Sequence, residues 1–228
     1  MKTVIVGDIQ GCYQEFLELL TLAGITAEDS IVAVGDLVDR GPDSRSVVEF
    51  FRNTPHAKSV LGNHERKHIR WFHGETSPAV SLEIARAEFG KRGYAEAIEF
   101  MESLPVFMDL PEAIVVHAFW EPGIALKDQK EHVLVGGASA EKYIQDVCKN
   151  RPWWELYDGN KPLIVGHHDY SKQGVPLNYE NRVYGIDTGC CYGRALTGLI
   201  LSDFRLISIP AKKDYWGEIR RKYNQPVS

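Results

Sequence analysis

The strongest constraint on this chain is a set of five short apolar runs, each ending at a side chain able to bind a metal ion. The runs are rich in β-branched residues, which is typical of strands covered on both faces. Because the carboxyl ends of parallel strands meet at one edge of a sheet, the five end residues are predicted to converge on one site. They are Asp8 after "TVIVG", Asp36 after "IVAVG", Asn63 after "SVLG", His117 after "AIVV" and His167 after "LIVG".

Helical patterns lie between the first three runs. In "CYQEFLELLTLAG" and "SRSVVEFFRNT" the apolar residues recur at helical spacing, so the chain is predicted to begin βαβαβ. Residues 81–103 and the segment "SAEKYIQDVCKN", with Ser139 as its cap, predict two further helices. After Arg182 the sequence reads mostly as strand ("RVYGIDTG", "ALTGLILSD", "FRLISIP"). A parallel front half joined to an antiparallel back half predicts an α/β fold, a layered sandwich.

The composition fits one sizeable domain. The chain has 228 residues, 44% of them hydrophobic, and it shows no internal repeat, low-complexity tract or linker. We expect a single domain over residues 1–228, with a helical insertion at about residues 78–104. The formal net charge of −5 argues against binding duplex nucleic acid through its phosphates.

The sequence also indicates the cellular location of the protein. No apolar run approaches the roughly 20 residues needed to span a bilayer, and Met1 leads directly into a predicted strand rather than a signal segment. We therefore expect a cytoplasmic protein without membrane contact. Cys12, Cys148, Cys190 and Cys191 form no CxxC pair, so we expect reduced thiols packed as small apolar groups. The basic tail "KKDYWGEIRRKYNQPVS" is interpreted as a solvated terminal segment.

Each of the five end residues also has a structural interpretation when taken singly. Asp8 and Asp36 could be turn formers, Asn63 a left-handed loop residue and His117 a hydrogen-bonded core histidine. The structural interpretation becomes less plausible when all five runs must end at a potential ligand by chance. Two carboxylates, an amide oxygen and two imidazoles form a mixed oxygen and nitrogen donor set that suits manganese, iron or zinc.

The residues next to these ends suggest what such a site would do. Asp36 stands in "GDLVDRGP" and Asn63 in "GNHE", so Asp39, Arg40 and His64 should lie near the donors. Two metal ions roughly 3.5–4 Å apart can polarise phosphoryl oxygens and activate water. Arg40 could hold phosphate oxygens, and His64, oriented by Asp39, could protonate the leaving oxygen. These three are the candidate catalytic residues.

Five motifs, "GDIQG", "GDLVDRG", "GNHE", "VVHA" and "VGHH", stand in an order that resembles the calcineurin-like metallophosphoesterases. Within them the chain resembles the branch of phosphoprotein phosphatases and symmetrical diadenosine-tetraphosphate hydrolases. The resemblance implies a β-sandwich flanked by helices, a dinuclear metal site, and His64 as an acid paired with Asp39. It places Asp8 and Gln10 on the first ion, Asp36 between both ions, and Asn63, His117 and His167 on the second.

The same resemblance leaves the other histidines without a function. His168, which follows His167 directly, is interpreted as a loop residue beside the ligand. His56, His68, His73 and His132 receive no role.

Gln10 departs from the pattern, because the family usually has histidine there. An amide oxygen is a harder donor than an imidazole nitrogen, so the first site should favour manganese or magnesium over zinc. We expect both sites to hold divalent ions. Manganese is the first choice for these ions, and iron, zinc and magnesium are alternatives. Some diadenosine-tetraphosphate hydrolases resemble this chain in having glutamine, so Gln10 is compatible with activity.

Aromatic residues near the motifs suggest contacts with a substrate. Phe119, where the family commonly has glycine, and Trp120 could stack on a base, although core packing explains them equally well. Tyr192 and Arg194 stand in "GIDTGCCYGRALTG", which is similar to the corresponding stretch of the tetraphosphate hydrolases. These residues and Arg40 are the candidate substrate contacts.

Three functions stay open at this stage. The first is hydrolysis of a dinucleoside polyphosphate, towards which "GIDTGCCYGRALTG" points. The second is dephosphorylation of serine or threonine in proteins, which the short chain favours. The third is a binding module without turnover. Asp39, Arg40 and His64 argue against the third, because a binder has no need of an acid for a leaving group.

Overall fold

The computed structural model describes residues 2–223, which form two five-stranded sheets packed face to face. The first sheet has the strand order β10-β9-β1-β2-β3. Its strands are β1 (Thr3–Val6), β2 (Ser30–Ala33), β3 (Ala57–Ser59), β9 (Ala195–Ile200) and β10 (Arg205–Pro210). β1, β2 and β3 run parallel, while β9 is antiparallel to β1 and to β10. The predicted βαβαβ start is confirmed.

The second sheet has the order β4-β5-β6-β8-β7. Its strands are β4 (Phe107–Asp109), β5 (Ile114–Val116), β6 (Leu163–Val165), β7 (Leu177–Tyr179) and β8 (Val183–Gly185). The three central strands β5, β6 and β8 are parallel, and the two edge strands are antiparallel to their neighbours. The expected antiparallel back half is therefore confirmed for β9 and β10 but wrong for β8, which also follows Arg182 and pairs in parallel with β6.

Helices cover the outer faces of the sheets. They are α1 (Tyr13–Ala23), α2 (Ser44–Asn53), α3 (Asn63–Phe72), α4 (Val80–Glu102), α5 (Glu131–Val135), α6 (Ala138–Val147) and α7 (Tyr215–Tyr223). Short 3₁₀ helices span Leu126–Asp128, Trp153–Leu156 and Cys190–Tyr192. No helix within residues 2–223 is long and apolar enough to cross a membrane.

The strands alternate between two layers of core. Along β1, Ile5 points into the layer between the sheets, whereas Val4 and Val6 pack under the helices of the first sheet. Along β5, Val115 joins the layer between the sheets, whereas its two neighbours pack under the helices of the second sheet. Burial on both faces explains why these strands are continuously apolar. The predicted layered sandwich flanked by helices is confirmed.

Three local expectations change. Helix α6 begins after Gly137, whose φ of 119° favours glycine, so Ser139 lies inside the first turn and is not the cap. The helix predicted over residues 81–103 is broken at Gly90, with φ 65° and ψ 174°. The basic tail is not simply a solvated segment, because α7 docks with Tyr215 buried and its hydroxyl donating to Glu15. Residues 224–228 of that tail lie outside the described residues.

Candidate active site

The ends of strands from both sheets bring Asn63, His117 and His167 into direct contact. The Asn63 Oδ1 atom lies 3.0 Å from His117 Nε2 and 2.8 Å from His167 Nδ1. His117 Nε2 is also 3.3 Å from Asp36 Oδ1. The other ring nitrogen of His117 lies 2.8 Å from the Val34 carbonyl oxygen, which holds Nε2 towards the cluster. Four potential donor atoms thus face one another.

Asp8 and Gln10 extend this cluster on the other side of Asp36. Ligand atoms of Asp8, Asp36 and His117 all lie within 4.8 Å of one another. Gln10 Nε2 is 3.3 Å from Asp36 Oδ2, and Gln10 Oε1 lies 2.7 Å from the Cys191 sulfur. The structure therefore brings together all six residues that the sequence suggested as metal ligands.

Asp187 adds a carboxylate that the sequence analysis did not identify. Burial, with the nearby carboxylates of Asp187 and Asp36, raises the pKa of Asp8 well above its ordinary value. Burial and Asp36 likewise raise the pKa of Asp187 to about 6. Three acids gathered in a buried place repel one another, and divalent cations would remove that cost. The donor set thus fits divalent metal ions on both charge and ligand type.

Glycines make room for these side chains. A Cβ atom at Gly166 would lie 2.0 Å from Asp8 Oδ1, and one at Gly62 would lie 2.3 Å from Asp36 Oδ1. At these two positions glycine is therefore required by the close approach of a donor carboxylate. The backbone is also strained here, since positive φ angles occur at non-glycine site residues. They are Gln10 (43°), Asp36 (51°), Asp39 (77°), Arg40 (65°) and His167 (68°).

The pair proposed for acid catalysis is assembled and buried. His64 Nδ1 lies 2.6 Å from Asp39 Oδ2, and His64 Nε2 is 3.9 Å from Asp36 Oδ2. The other oxygen of Asp39 lies 2.9 Å from His68 Nε2, and His68 Nδ1 is 2.8 Å from the Tyr94 hydroxyl. His68, which had no role in the sequence analysis, thus contacts Asp39. Its spacing of four residues from His64, both on one face of α3, was the available signal.

Glu65 holds the two motif loops together. Its carboxylate accepts hydrogen bonds from the backbone N–H groups of Asp36, Leu37 and Gly62, at 2.9, 2.8 and 3.0 Å. Burial, together with Asp36, raises the pKa of Glu65 to about 8. Glu65 is fully buried in the first turn of α3. It therefore links the loop that contains "GDLVDRG" to the loop that contains "GNHE".

Cationic and aromatic groups surround the cluster. Burial lowers the pKa of the Arg40 guanidinium, but nearby groups outweigh this effect and raise it. These groups are Tyr192, the Cys191 thiol and the carboxylates of Asp36 and Asp39. Arg40 lies 5.5 Å from the centre of the half-exposed Tyr192 ring. Arg66, which the sequence analysis missed, donates to the Gly136 carbonyl oxygen. The Arg194 guanidinium pairs with Asp169, two residues after His167.

The two candidate stacking residues are placed differently. The Phe119 ring lies 5.3 Å from that of His167, so it borders the cluster. Trp120 is buried in the core, packs against Tyr157 and donates to Asp158. The structure thus keeps Phe119 beside the site, whereas Trp120 fits the packing alternative.

The signal for Asp187 was present in the sequence. It follows "RVYGI", which is a sixth apolar run ending at a potential ligand, and the structure places that run on β8 beside β6. The signal for Glu65 was only its place in "GNHE". All four cysteines are free and buried, as expected.

Known proteins resemble this chain in sequence and in fold. The sequence profile of the family described as calcineurin-like phosphoesterase matches residues 1–209. The chain is 30% identical to the asymmetrical bis(5'-nucleosyl)-tetraphosphatase PrpE of Geobacillus sp. (strain WCH70), covering 98% of this chain and 100% of that protein. Identity to the protein of the same name from Bacillus subtilis (strain 168) is 29%, covering 92% and 95% of the two chains.

Solved structures agree on the fold. A crystal structure provisionally described as a diadenosine tetraphosphatase matches with a TM-score of 0.77 and 27% identity, covering 92% of this chain and 93% of that one. A serine/threonine phosphatase from Saccharomyces cerevisiae matches with a TM-score of 0.61 and 15% identity, covering 93% and 81%. At that identity the second likeness shows a shared fold only.

A two-sheet sandwich that gathers carboxylate, amide and imidazole donors at one edge defines the class of metal-dependent phosphohydrolases. The chain belongs to the calcineurin-like phosphoesterase family. The curated relatives carry the asymmetrical name, whereas the sequence analysis expected the branch of the symmetrical hydrolases.

Proposed function

We propose that this enzyme uses two divalent metal ions to hydrolyse dinucleoside polyphosphates, cutting them asymmetrically. The observation that carries the metal centre is the contact of Asn63 Oδ1 with both His117 and His167, beside the Asp8 and Asp36 carboxylates. The support for the substrate is the likeness over the whole length to proteins named asymmetrical bis(5'-nucleosyl)-tetraphosphatases.

In this proposal Asp36 serves both ions. Asp8 and Gln10 complete the first site and Asp187 contributes charge beside it, whereas the residues on the other side of Asp36 form the second site. Those residues are Asn63, His117 and His167. Divalent ions in these positions would supply Lewis-acid activation of water and of the phosphoryl oxygens.

The protein's own groups would handle the phosphate and the leaving group. Arg40, held among carboxylates by a strained backbone, is placed to bind phosphoryl oxygens. His64 would protonate the leaving oxygen through Nε2, because Asp39 occupies its Nδ1. A module that only binds has no use for this pair, which argues against the non-catalytic alternative.

We propose manganese as the preferred ion. The donors are oxygens and imidazole nitrogens, a set that suits manganese and iron better than soft metals. Cys191, which touches Gln10, supports this choice, because burial raises the pKa of its thiol well above the ordinary value. A thiol that stays protonated is a poor metal ligand.

We also propose that residues 1–228 form one domain, of which α4 is a helical insertion, and that the protein is cytoplasmic. Cores on both sides of each sheet and between the sheets support the single domain. Four free, buried cysteines support a reducing compartment.

Product analysis tests the proposed function. Incubation of the enzyme with diadenosine tetraphosphate and Mn²⁺ should yield AMP and ATP, and a chelator should abolish the reaction. Two ADP molecules would indicate symmetrical cleavage instead. No nucleotide product, together with release of phosphate from a phosphoserine peptide, would favour the protein phosphatase alternative. Asp36→Asn is the matched variant, and its full activity would contradict the dinuclear centre.

A further inference from the structure

A cavity of about 550 Å³ lies beside the candidate metal centre and has no role in the mechanism above. Five rings line part of its wall, and charged side chains stand among them. These rings belong to Phe119, Trp153, Trp154, His168 and Tyr170. Volumes of roughly 300–1,000 Å³ are usual for pockets that bind small molecules.

A single ring separates this cavity from the proposed ligands of the second ion. The Phe119 ring is 5.3 Å from His167 and 5.6 Å from His168, and it is 6.3 Å from Trp153 deeper in the wall. The His167 and His168 rings are 4.5 Å apart. A ligand in the cavity would therefore be separated from the His167 side of the metal centre by the Phe119 ring alone.

The cavity wall suits a flat ring that carries heteroatoms. Trp154 packs edge-on against Tyr170 at 4.8 Å and is only half-buried, so part of its ring remains available. Gln145 and Asn150 add polar amide side chains to the lining. Glu141 lies 3.8 Å from His168 Nε2, beyond hydrogen-bond distance. Polar side chains in the lining favour a ring with nitrogen atoms over a purely apolar one.

We infer that this cavity is the subsite for one nucleobase of the substrate. The inference rests on the proposed function for the identity of the ligand, but its geometry is independent of that function. Stacking on aromatic side chains tolerates any base, because every base has a π face. A nucleoside seated here would present the phosphate nearest its ribose to the metal centre, which would release a mononucleotide.

In this inference His168 is part of the cavity wall and has a role beyond that of a loop residue. The sequence analysis interpreted it as a neighbour of the ligand, and it does follow His167. In this inference its ring closes the cavity on the side facing the metal centre, where Phe119 and Tyr170 contact it.

The test compares two inhibitors that differ only in the base. AMP and ribose 5-phosphate are measured as competitive inhibitors of Mn²⁺-dependent hydrolysis of p-nitrophenyl phosphate. The inhibition constant of AMP should be about 5- to 150-fold lower in the wild-type enzyme. Trp154→Ala should bring the ratio of the two constants close to one. Trp154→Phe should retain part of the ratio, and Phe72→Ala, which removes an exposed aromatic ring outside the cavity, should retain all of it.

Because both inhibitors carry the same phosphate, the ratio cancels any change at the metal centre. Equal inhibition constants in the wild-type enzyme would overturn the subsite, and so would a ratio that Trp154→Ala leaves unchanged. A Trp154-dependent preference for phosphotyrosine over phosphoserine peptides, with equal constants for the two inhibitors, would assign the cavity to a protein side chain instead. If AMP is preferred through Trp154 but diadenosine tetraphosphate is not cut, the subsite stands and the proposed function fails.

Discussion

Asp39 contacts a histidine with each of its carboxylate oxygens, and this places one buried charge at the centre of a chain of four side chains. The chain runs from the Tyr94 hydroxyl through His68 and Asp39 to His64. Burial opposes the charge of Asp39, but the hydrogen bonds from both histidines lower the pKa of this carboxyl. A charged Asp39 fixes the His64 ring, so Nε2 faces the metal cluster.

The first prediction concerns His64→Ala. A poor leaving group needs a proton in the transition state, whereas an aryl oxide departs without much help. The variant should therefore slow an alkyl phosphate by a factor on the order of 10²–10⁴ and an activated aryl phosphate far less. Steady-state kcat/KM values for both substrate types measure this difference. Equal losses would remove His64 from the role of acid.

The second prediction concerns His68→Asn. If His68 positions Asp39, its removal should reproduce the leaving-group dependence of His64→Ala in weaker form, with a loss of about tenfold for the poor leaving group. The exposed His73, which pairs with Glu102, provides the matched control as His73→Asn. Circular dichroism verifies folding of both variants. A loss in His68→Asn that is the same for all leaving groups would indicate a structural role only.

The third prediction concerns Gln10→His. If the Gln10 amide binds an ion, an imidazole in its place should tighten binding and shift preference towards later transition metals, because nitrogen donors suit them. Calorimetric titration of the metal-free protein with Mn²⁺ and Zn²⁺ measures both effects, and a tenfold change is about 1.4 kcal/mol. Unchanged titrations would place Gln10 outside the metal coordination sphere.

At the scale of the elements, α4 supports the site without supplying a metal ligand. The Tyr94 hydroxyl on α4 forms a hydrogen bond with His68, and the Ser81 hydroxyl lies 3.5 Å from Asp39 Oδ2. Glu88 on the same helix accepts from the backbone N–H groups of Ser44 and Arg45, at 2.6 and 3.3 Å. The helical insertion thereby tethers the start of α2 and the acid pair together.

The fourth prediction follows from Glu88. Burial raises its pKa to about 7, despite the two N–H donors. The folded state therefore binds the proton more tightly than the unfolded state, and the unfolding free energy should fall as pH rises from about 4.5 to about 7. Solvent screening of this partly exposed group limits the effect to about 1 kcal/mol.

Glu88→Gln should remove that part of the pH dependence, so the variant loses less stability than the wild type between pH 5 and pH 8. Urea unfolding at both pH values measures the change. Glu99→Gln, which alters an exposed carboxylate on the same helix, is the control. The same loss of stability in Glu88→Gln and wild type would contradict the prediction.

At the scale of the whole molecule, the proposed metal centre joins the two sheets. Asp8, Asp36 and Asn63 follow strands of the first sheet, whereas His117 and His167 follow strands of the second. Ions held between them would link both halves of the sandwich and neutralise the acids gathered there.

The fifth prediction is that Mn²⁺ stabilises the folded protein. A ligand present at a hundredfold excess over its dissociation constant adds about 2.7 kcal/mol, provided that the unfolded chain does not bind it. The thermal midpoint should therefore rise with added Mn²⁺ and fall with a chelator. Asp36→Asn should show a much smaller rise. Identical midpoints with and without the metal would contradict a centre that joins the sheets.

The sequence alone determined the strands and the donors, because both are local properties of the chain. Each ligand candidate is covalently attached to the end of its apolar run, so recognising the run also locates the donor. The helices α1 and α2 were predictable for the same reason, since their apolar spacing lies within a few turns. The edge strands β4 and β7 are only partly buried, so they lack the continuous apolar run that marks the central strands β5 and β6.

The tertiary structure alone decided which side chains meet and which way they face. Asp39 and His68 are 29 residues apart, and no local pattern states that they share a hydrogen bond. Phe119 and Trp120 are neighbours in the chain, yet one borders the site and the other fills the core. The aromatic cavity draws on residues from Phe119 to Lys172. Such contacts depend on how helices and sheets pack in three dimensions, which the period of a single element does not encode.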